Sequence, residues 1–230
     1  MTEPGPLIRP HRPRPHRGAR FGRAIEMLAL FFAFPTFAYV GQWFGKGTWV
    51  IPLAISAGLL AAIYLARQPN FDLRHRWRGN PHSMRPILLR FGVSATLLLV
   101  ATWIFIPNSL FRFPRENPGF WAAVMFGYPF LSVLGQEVVF RAFFFRRYRT
   151  VFRTDSALIW VSAGAFGIVH ILFGHWQSVA LSTIGGAFFA HTYVRTRSIR
   201  AVSLEHALYG NWIFTVGLGS FFYHGHSAPF

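Results

Sequence analysis

The chain has 230 residues, of which 53% are hydrophobic and only 13% charged, and its formal net charge is +16. Soluble domains carry about 25% charged residues, so this composition excludes an ordinary soluble domain and points to a bilayer as part of the solvent. Cysteine is absent, which excludes disulfides and thiolate metal sites. All but one of the 23 basic residues are Arg, and nearly all of these lie between apolar stretches. That arrangement suits membrane orientation and gives no reason to expect a nucleic-acid partner.

Residues 1–23 are dominated by Pro and Arg and read as a disordered basic tail, not a cleaved leader. Seven apolar stretches follow, at about 24–44, 48–66, 86–106, 120–145, 156–173, 178–194 and 201–222. Each approaches the ~20 residues a helix needs to cross the hydrocarbon core. The stretches are continuously apolar with no period-two alternation, so helices are preferred over a barrel. The expected fold is all-α, a polytopic transmembrane bundle of about seven helices. Residues 24–118 would form the N-terminal three helices, 119–223 the functional core, and 224–230 a short tail.

Loop charges orient the bundle. Arg9, Arg12, Arg14, Arg17, Arg20 and Arg23 precede the first stretch, and Arg67, Arg74, Arg76, Arg78, Arg85 and Arg90 follow the second. Arg146, Arg147, Arg149 and Arg153 follow the fourth, and Arg195, Arg197 and Arg200 the sixth. The opposite loops hold only Lys46, Arg112 and Arg115. Alternation of this kind places the N-terminus in the cytosol and the C-terminus outside. The Arg-rich face would meet anionic lipid head groups. Pro35 and Pro129 are candidate kinks, and Gly185 and Gly186 a site of close helix approach.

Polar side chains within apolar helices cost free energy and need a reason. The fourth stretch holds Gln136, Glu137 and Arg141, the fifth His170, the sixth His191, and the seventh Glu205, His206 and Asn211. Glu137 and Arg141 are four apart, so they share a helix face and can pair. Singly, each has a bland structural reading: an ion pair, an interhelical hydrogen bond, or an interfacial histidine for His175 and His191. Together, Glu137, His170 and His206 are one carboxylate and two imidazoles, a set that suits a divalent metal, zinc foremost. A metal-bound water beside a carboxylate is the chemistry of amide hydrolysis. Equal depth is demanding: at ~1.5 Å per residue, Glu137 is roughly 14 Å from Arg146, His206 roughly 9 Å from Arg200 and His170 roughly 21 Å from Ser156.

Three segments, QEVVFR (Gln136 to Arg141), FGIVH (Phe166 to His170) and HALYGN (His206 to Asn211), resemble the CPBP intramembrane metalloproteases. That family holds the type II CAAX prenyl endopeptidases and bacteriocin-immunity (Abi) proteins, and the resemblance covers about 120–215. Its pattern is E-E-x-x-x-R, F-x-x-x-H and H-x-x-x-N. The resemblance implies a bacterial inner-membrane endopeptidase acting on a peptide or lipidated-protein substrate. Its Glu pair and first His would activate water, while the His residues and the Asn organise the site. Carried over, the catalytic residues are Glu137, His170, His206, Arg141, Asn211 and Gln136, with His170, His206 and Glu137 as metal ligands. Two positions depart from the pattern. Gln136 stands where the first Glu is expected, leaving Glu137 to act as base. Gly210 stands at the polar position of the last motif, with Asn211 one residue later, reachable only through a π-bulge. The alternative is a proteolytically inactive scaffold or binding protein of the same fold. A proton-coupled transporter would favour inverted repeats, and none is evident.

Overall fold

The computed structural model describes residues 16–43, 49–69, 71, 77 and 84–222, and these contain helices and turns but no strand. The expectations for residues 1–15 and 223–230, and for Lys46, Arg74, Arg76 and Arg78, lie outside the described residues. Seven long helices occupy the seven apolar stretches: α1 (Arg17–Val40), α2 (Val50–Ala66) and α3 (Met84–Phe105) in the N-terminal part. After a short amphipathic helix, α4 (Arg112–Glu116), come α5 (Pro118–Tyr148), α6 (Asp155–Val169), α7 (Trp176–Thr196) and α8 (Ile199–Val216). The first helix begins at Arg17, inside the stretch read as tail, because Arg and Ala keep good helix propensity beyond the apolar run.

Four spans are long and apolar enough to cross a membrane by length and composition: Arg17–Val40, Met84–Phe105, Pro118–Tyr148 and Asp155–Phe173. Val50–Ala66 is apolar but shorter. Helix α3 shows the bilayer's imprint. It buries only Ile87, Ala95 and Thr102, a single stripe, and exposes Leu88, Leu89, Val93, Leu97, Trp103, Ile104 and Phe105. Water would not tolerate so continuous an apolar surface. Helices α7 and α8 do not reach the same apolarity because they are inner helices. Ser178, Ser182 and Thr192 of α7, and Ser203, Glu205 and His206 of α8, are buried against neighbours and not lipid.

Helix α8 touches α3, α4, α5 and α7; α6 packs along α7, and α2 packs on the middle of α5. The last contact depends on glycine: a Cβ on Gly58 would sit 2.6 Å from the Cα of Gly135. Gly186 allows α7 to approach α6 in the same way, since its Cβ would lie 3.1 Å from the Phe166 ring. Both prolines coincide with π-helical turns, Ala29–Ala33 before Pro35 and Pro129–Val133 at Pro129. A proline lacks the N–H for the carbonyl four residues back and clashes with it, and a widened turn relieves the clash. A third π segment, Val138–Phe143, carries Arg141.

Candidate active site

Helix α5 presents Tyr128, Ser132 and Gln136 at spacings of four, a stripe of polar groups among apolar neighbours. These three line a cavity of ≈ 970 Å³ together with His170 and Phe166 of α6, Phe189 of α7, and His206 and Gly210 of α8. The remaining wall is mostly aliphatic and aromatic, with Ser94 of α3 as a further polar member. Gln136 Nε2 donates to Ser132 Oγ at 2.7 Å. Its Oε1 is buried without a hydrogen-bond partner among the described residues.

Glu137 is one position further round the helix and does not reach the cavity wall. It is fully buried, with Oε1 2.8 Å from His206 Nδ1 and Oε2 3.1 Å from Arg141 Nε. The i,i+4 pair expected from the sequence is therefore present. Arg141 is itself sealed from solvent and donates from Nη1 to Ser162 Oγ at 2.8 Å, while Ser162 Oγ donates to the Phe140 carbonyl at 3.1 Å. Its guanidinium lies over the Phe166 ring at 5.3 Å, a low-dielectric setting in which the Glu137 charge keeps a fixed partner.

His206 is held on every side. Nδ1 donates to the Glu137 carboxylate, Nε2 is 3.0 Å from the Tyr128 hydroxyl, and the ring stacks on Phe189 at 4.6 Å. His170 ends α6, where its Nδ1 donates to the Phe166 carbonyl at 2.6 Å. That bond fixes the tautomer and leaves the Nε2 lone pair open. Phe166 stands between the two imidazoles, 4.7 Å from His170 and 5.3 Å from His206. The depth mismatch expected from counting residues is thus overcome, since Glu137 and His206 are in direct contact.

The predicted metal ligands do not converge. Among the described residues no three His, Asp or Glu side chains form a group that could hold a metal ion. The reason is local: Glu137 Oε1 is held by His206, Oε2 is buried beside Arg141 at 3.1 Å, and His206 has partners on both nitrogens. Only His170 Nε2 is left, and one imidazole does not hold zinc, which takes at least three protein ligands in catalytic sites. The residues do not fit the expected metal.

Asn211 is also displaced from its expected role. Helix α8 is regular from Ile199–Val216, so no π-bulge turns Asn211 toward His206. Its Nδ2 donates instead to the Met125 carbonyl at 3.2 Å. That carbonyl lies four residues before Pro129 and has lost its helical donor. His175 and His191 are exposed, as interfacial residues would be. Arg90, assigned above to a loop, lies inside α3 and pairs with buried Glu205 and with Thr192. The sequence reading missed Tyr128, Ser132 and Ser162. For the first two, the i,i+4 spacing with Gln136 was the available signal.

Fold and site together define a polytopic helical membrane protein with a polar, acid-supported histidine site sunk in an apolar cavity. Residues 118–212 match the family described as Type II CAAX prenyl endopeptidase Rce1-like. The matched stretch runs from the start of α5 to Trp212, contains all three motifs and is similar to the CAAX protease family that the motifs resemble. The match supports a CAAX-protease-like endopeptidase in an integral membrane protein. No curated protein and no solved structure matches.

Proposed function

We propose that the protein is an intramembrane endopeptidase that hydrolyses a peptide bond of a lipidated substrate without a metal. The observation that carries this reading is the delivery of Gln136, His170 and His206, one from each motif, to the wall of one apolar cavity. An apolar chamber of this size accepts a lipid chain and excludes bulk water, and the few polar groups orient the scissile bond. His170 Nε2 takes a proton from water as the water oxygen bonds to the carbonyl carbon, and the carbonyl π pair moves onto oxygen. His170 then returns the proton to the amide nitrogen as the C–N bond breaks. Gln136, on the cavity wall, orients the water. Glu137 acts behind His206, fixing its ring and tautomer, with Arg141 fixing Glu137. The Arg-rich face holds anionic lipid, and a bacterial inner membrane with a cytosolic N-terminus fits the loop charges.

The test uses purified full-length protein in lipid nanodiscs and a farnesylated peptide ending in a Cys-aliphatic-aliphatic-X sequence. Wild type cleaves it, His170→Ala does not, and chelators leave the rate unchanged. Gln136→Glu adds a carboxylate at the water and raises turnover, within the ~10²–10⁴-fold that a positioned acid–base group supplies. Loss of activity on chelation, restored by zinc, overturns the metal-free route. No cleavage by wild type or by Gln136→Glu leaves the scaffold reading in its place.

A further inference from the structure

We infer that Tyr128 is a catalytic residue: its hydroxyl is the donor to the scissile carbonyl oxygen, in the space that the side chain of residue 210 would occupy. This rests on the endopeptidase reading above. Position 210 is four residues after His206, on the same face of α8, and it lines the cavity as glycine. A Cβ built there would overlap Cε1, Cζ and the hydroxyl oxygen of Tyr128. The tyrosine from α5 therefore fills the volume left by the missing side chain and brings a hydroxyl to it. The ring is wedged edge-on to Phe214, with centroids 5.5 Å apart, so the hydroxyl reaches the cavity from a fixed base.

The hydroxyl ends a buried chain, Arg141 beside Glu137, Glu137 to His206, His206 to Tyr128. With His206 Nδ1–H given to the carboxylate, Nε2 is an acceptor and the Tyr128 O–H points at it. Rotation about one bond, Cζ–O, turns that proton toward the cavity. A neutral substrate carbonyl offers no better acceptor than Nε2, so the proton stays on His206 in the ground state. A developing oxyanion does, because hydrogen bonds to ionised acceptors are roughly twice as strong as neutral ones. The switch favours the transition state over bound substrate, which is the condition for raising turnover and not merely affinity.

The same nanodisc assay and farnesylated peptide test it, run in wild type and, for signal, in Gln136→Glu. Tyr128→Phe keeps the ring and removes only the hydroxyl. We expect kcat to fall by ~10²–10³-fold, as for loss of one oxyanion donor, with KM and thermal stability little changed. Gly210→Asn alone collides with the Tyr128 ring and is inactive, while Tyr128→Ala with Gly210→Asn regains part of the turnover lost in Tyr128→Ala. Unchanged kcat in Tyr128→Phe, or a loss matched by a fall in melting temperature, overturns this inference and leaves the endopeptidase reading intact. Absence of cleavage in both parent backgrounds overturns the endopeptidase reading, and this inference with it.

Discussion

Glu137 is neither solvent-exposed nor on the cavity wall, yet it contacts the two side chains that matter most to it. Removing it leaves Arg141 as a buried charge without its ion-pair partner, which costs about 3–5 kcal/mol. Glu137→Ala should therefore lower stability sharply. Adding Arg141→Met removes the orphaned charge and should restore most of the melting temperature in detergent without restoring cleavage. Recovery of cleavage in that double variant would mean that Glu137 only neutralises Arg141. The pairing itself was legible in the sequence, because four residues along a helix bring two side chains together whatever surrounds them. The facing of Glu137 was not. Whether Gln136 or Glu137 looks into the cavity is decided by the rotation of α5, and π turns at Pro129–Val133 and Val138–Phe143 alter that rotation on both sides of the pair. Tyr128 stayed hidden for a related reason. Its significance comes from Gly210 and His206, 82 and 78 residues away in a chain where those distances carry no local pattern.

At the scale of helices, hydrophobic length located the long helices among the described residues, because a helix in lipid must satisfy its own backbone. Pattern recognition failed where a proline changed the local accounting. Asn211 read as a site residue one position out of register, but its amide caps the Met125 carbonyl that Pro129 leaves open. Asn211→Leu should cost about 1–3 kcal/mol, the penalty of a buried unsatisfied carbonyl, with activity per folded molecule retained. Pro129→Leu supplies a backbone N–H to the same carbonyl. The two substitutions are coupled, so the double variant should lose less stability than the two single losses added together. Additive losses in denaturant unfolding would show that the Asn211 amide serves something other than that carbonyl. Arg90 illustrates the converse error. Counted as a loop charge, it sits a full turn inside α3 with Glu205 as its partner, and only the tertiary fold reveals that an inner acid on α8 has called it there.

For the whole molecule, orientation rests on a different physical cue from the fold. Hydropathy fixes which segments are helical, while Arg asymmetry fixes which end faces the cytosol. The chain makes that asymmetry testable, since it has no cysteine to remove. Asn108 is exposed in the Pro107–Ser109 turn between α3 and α4, and Arg153 is exposed between α5 and α6. Only one helix long enough to span, Pro118–Tyr148, separates them. In intact cells a membrane-impermeant maleimide should label Asn108→Cys directly and Arg153→Cys only after permeabilisation. The reverse pattern would invert the orientation. Labelling of both would mean that α5 does not cross, and the cavity would then open to water instead of lipid. The direct prediction is the one the site requires: α5 carries Gln136 to mid-span, 17 residues from Arg153 and 28 from Asn108 along the chain, so that a lipidated peptide entering from the membrane meets the imidazoles before it meets bulk water.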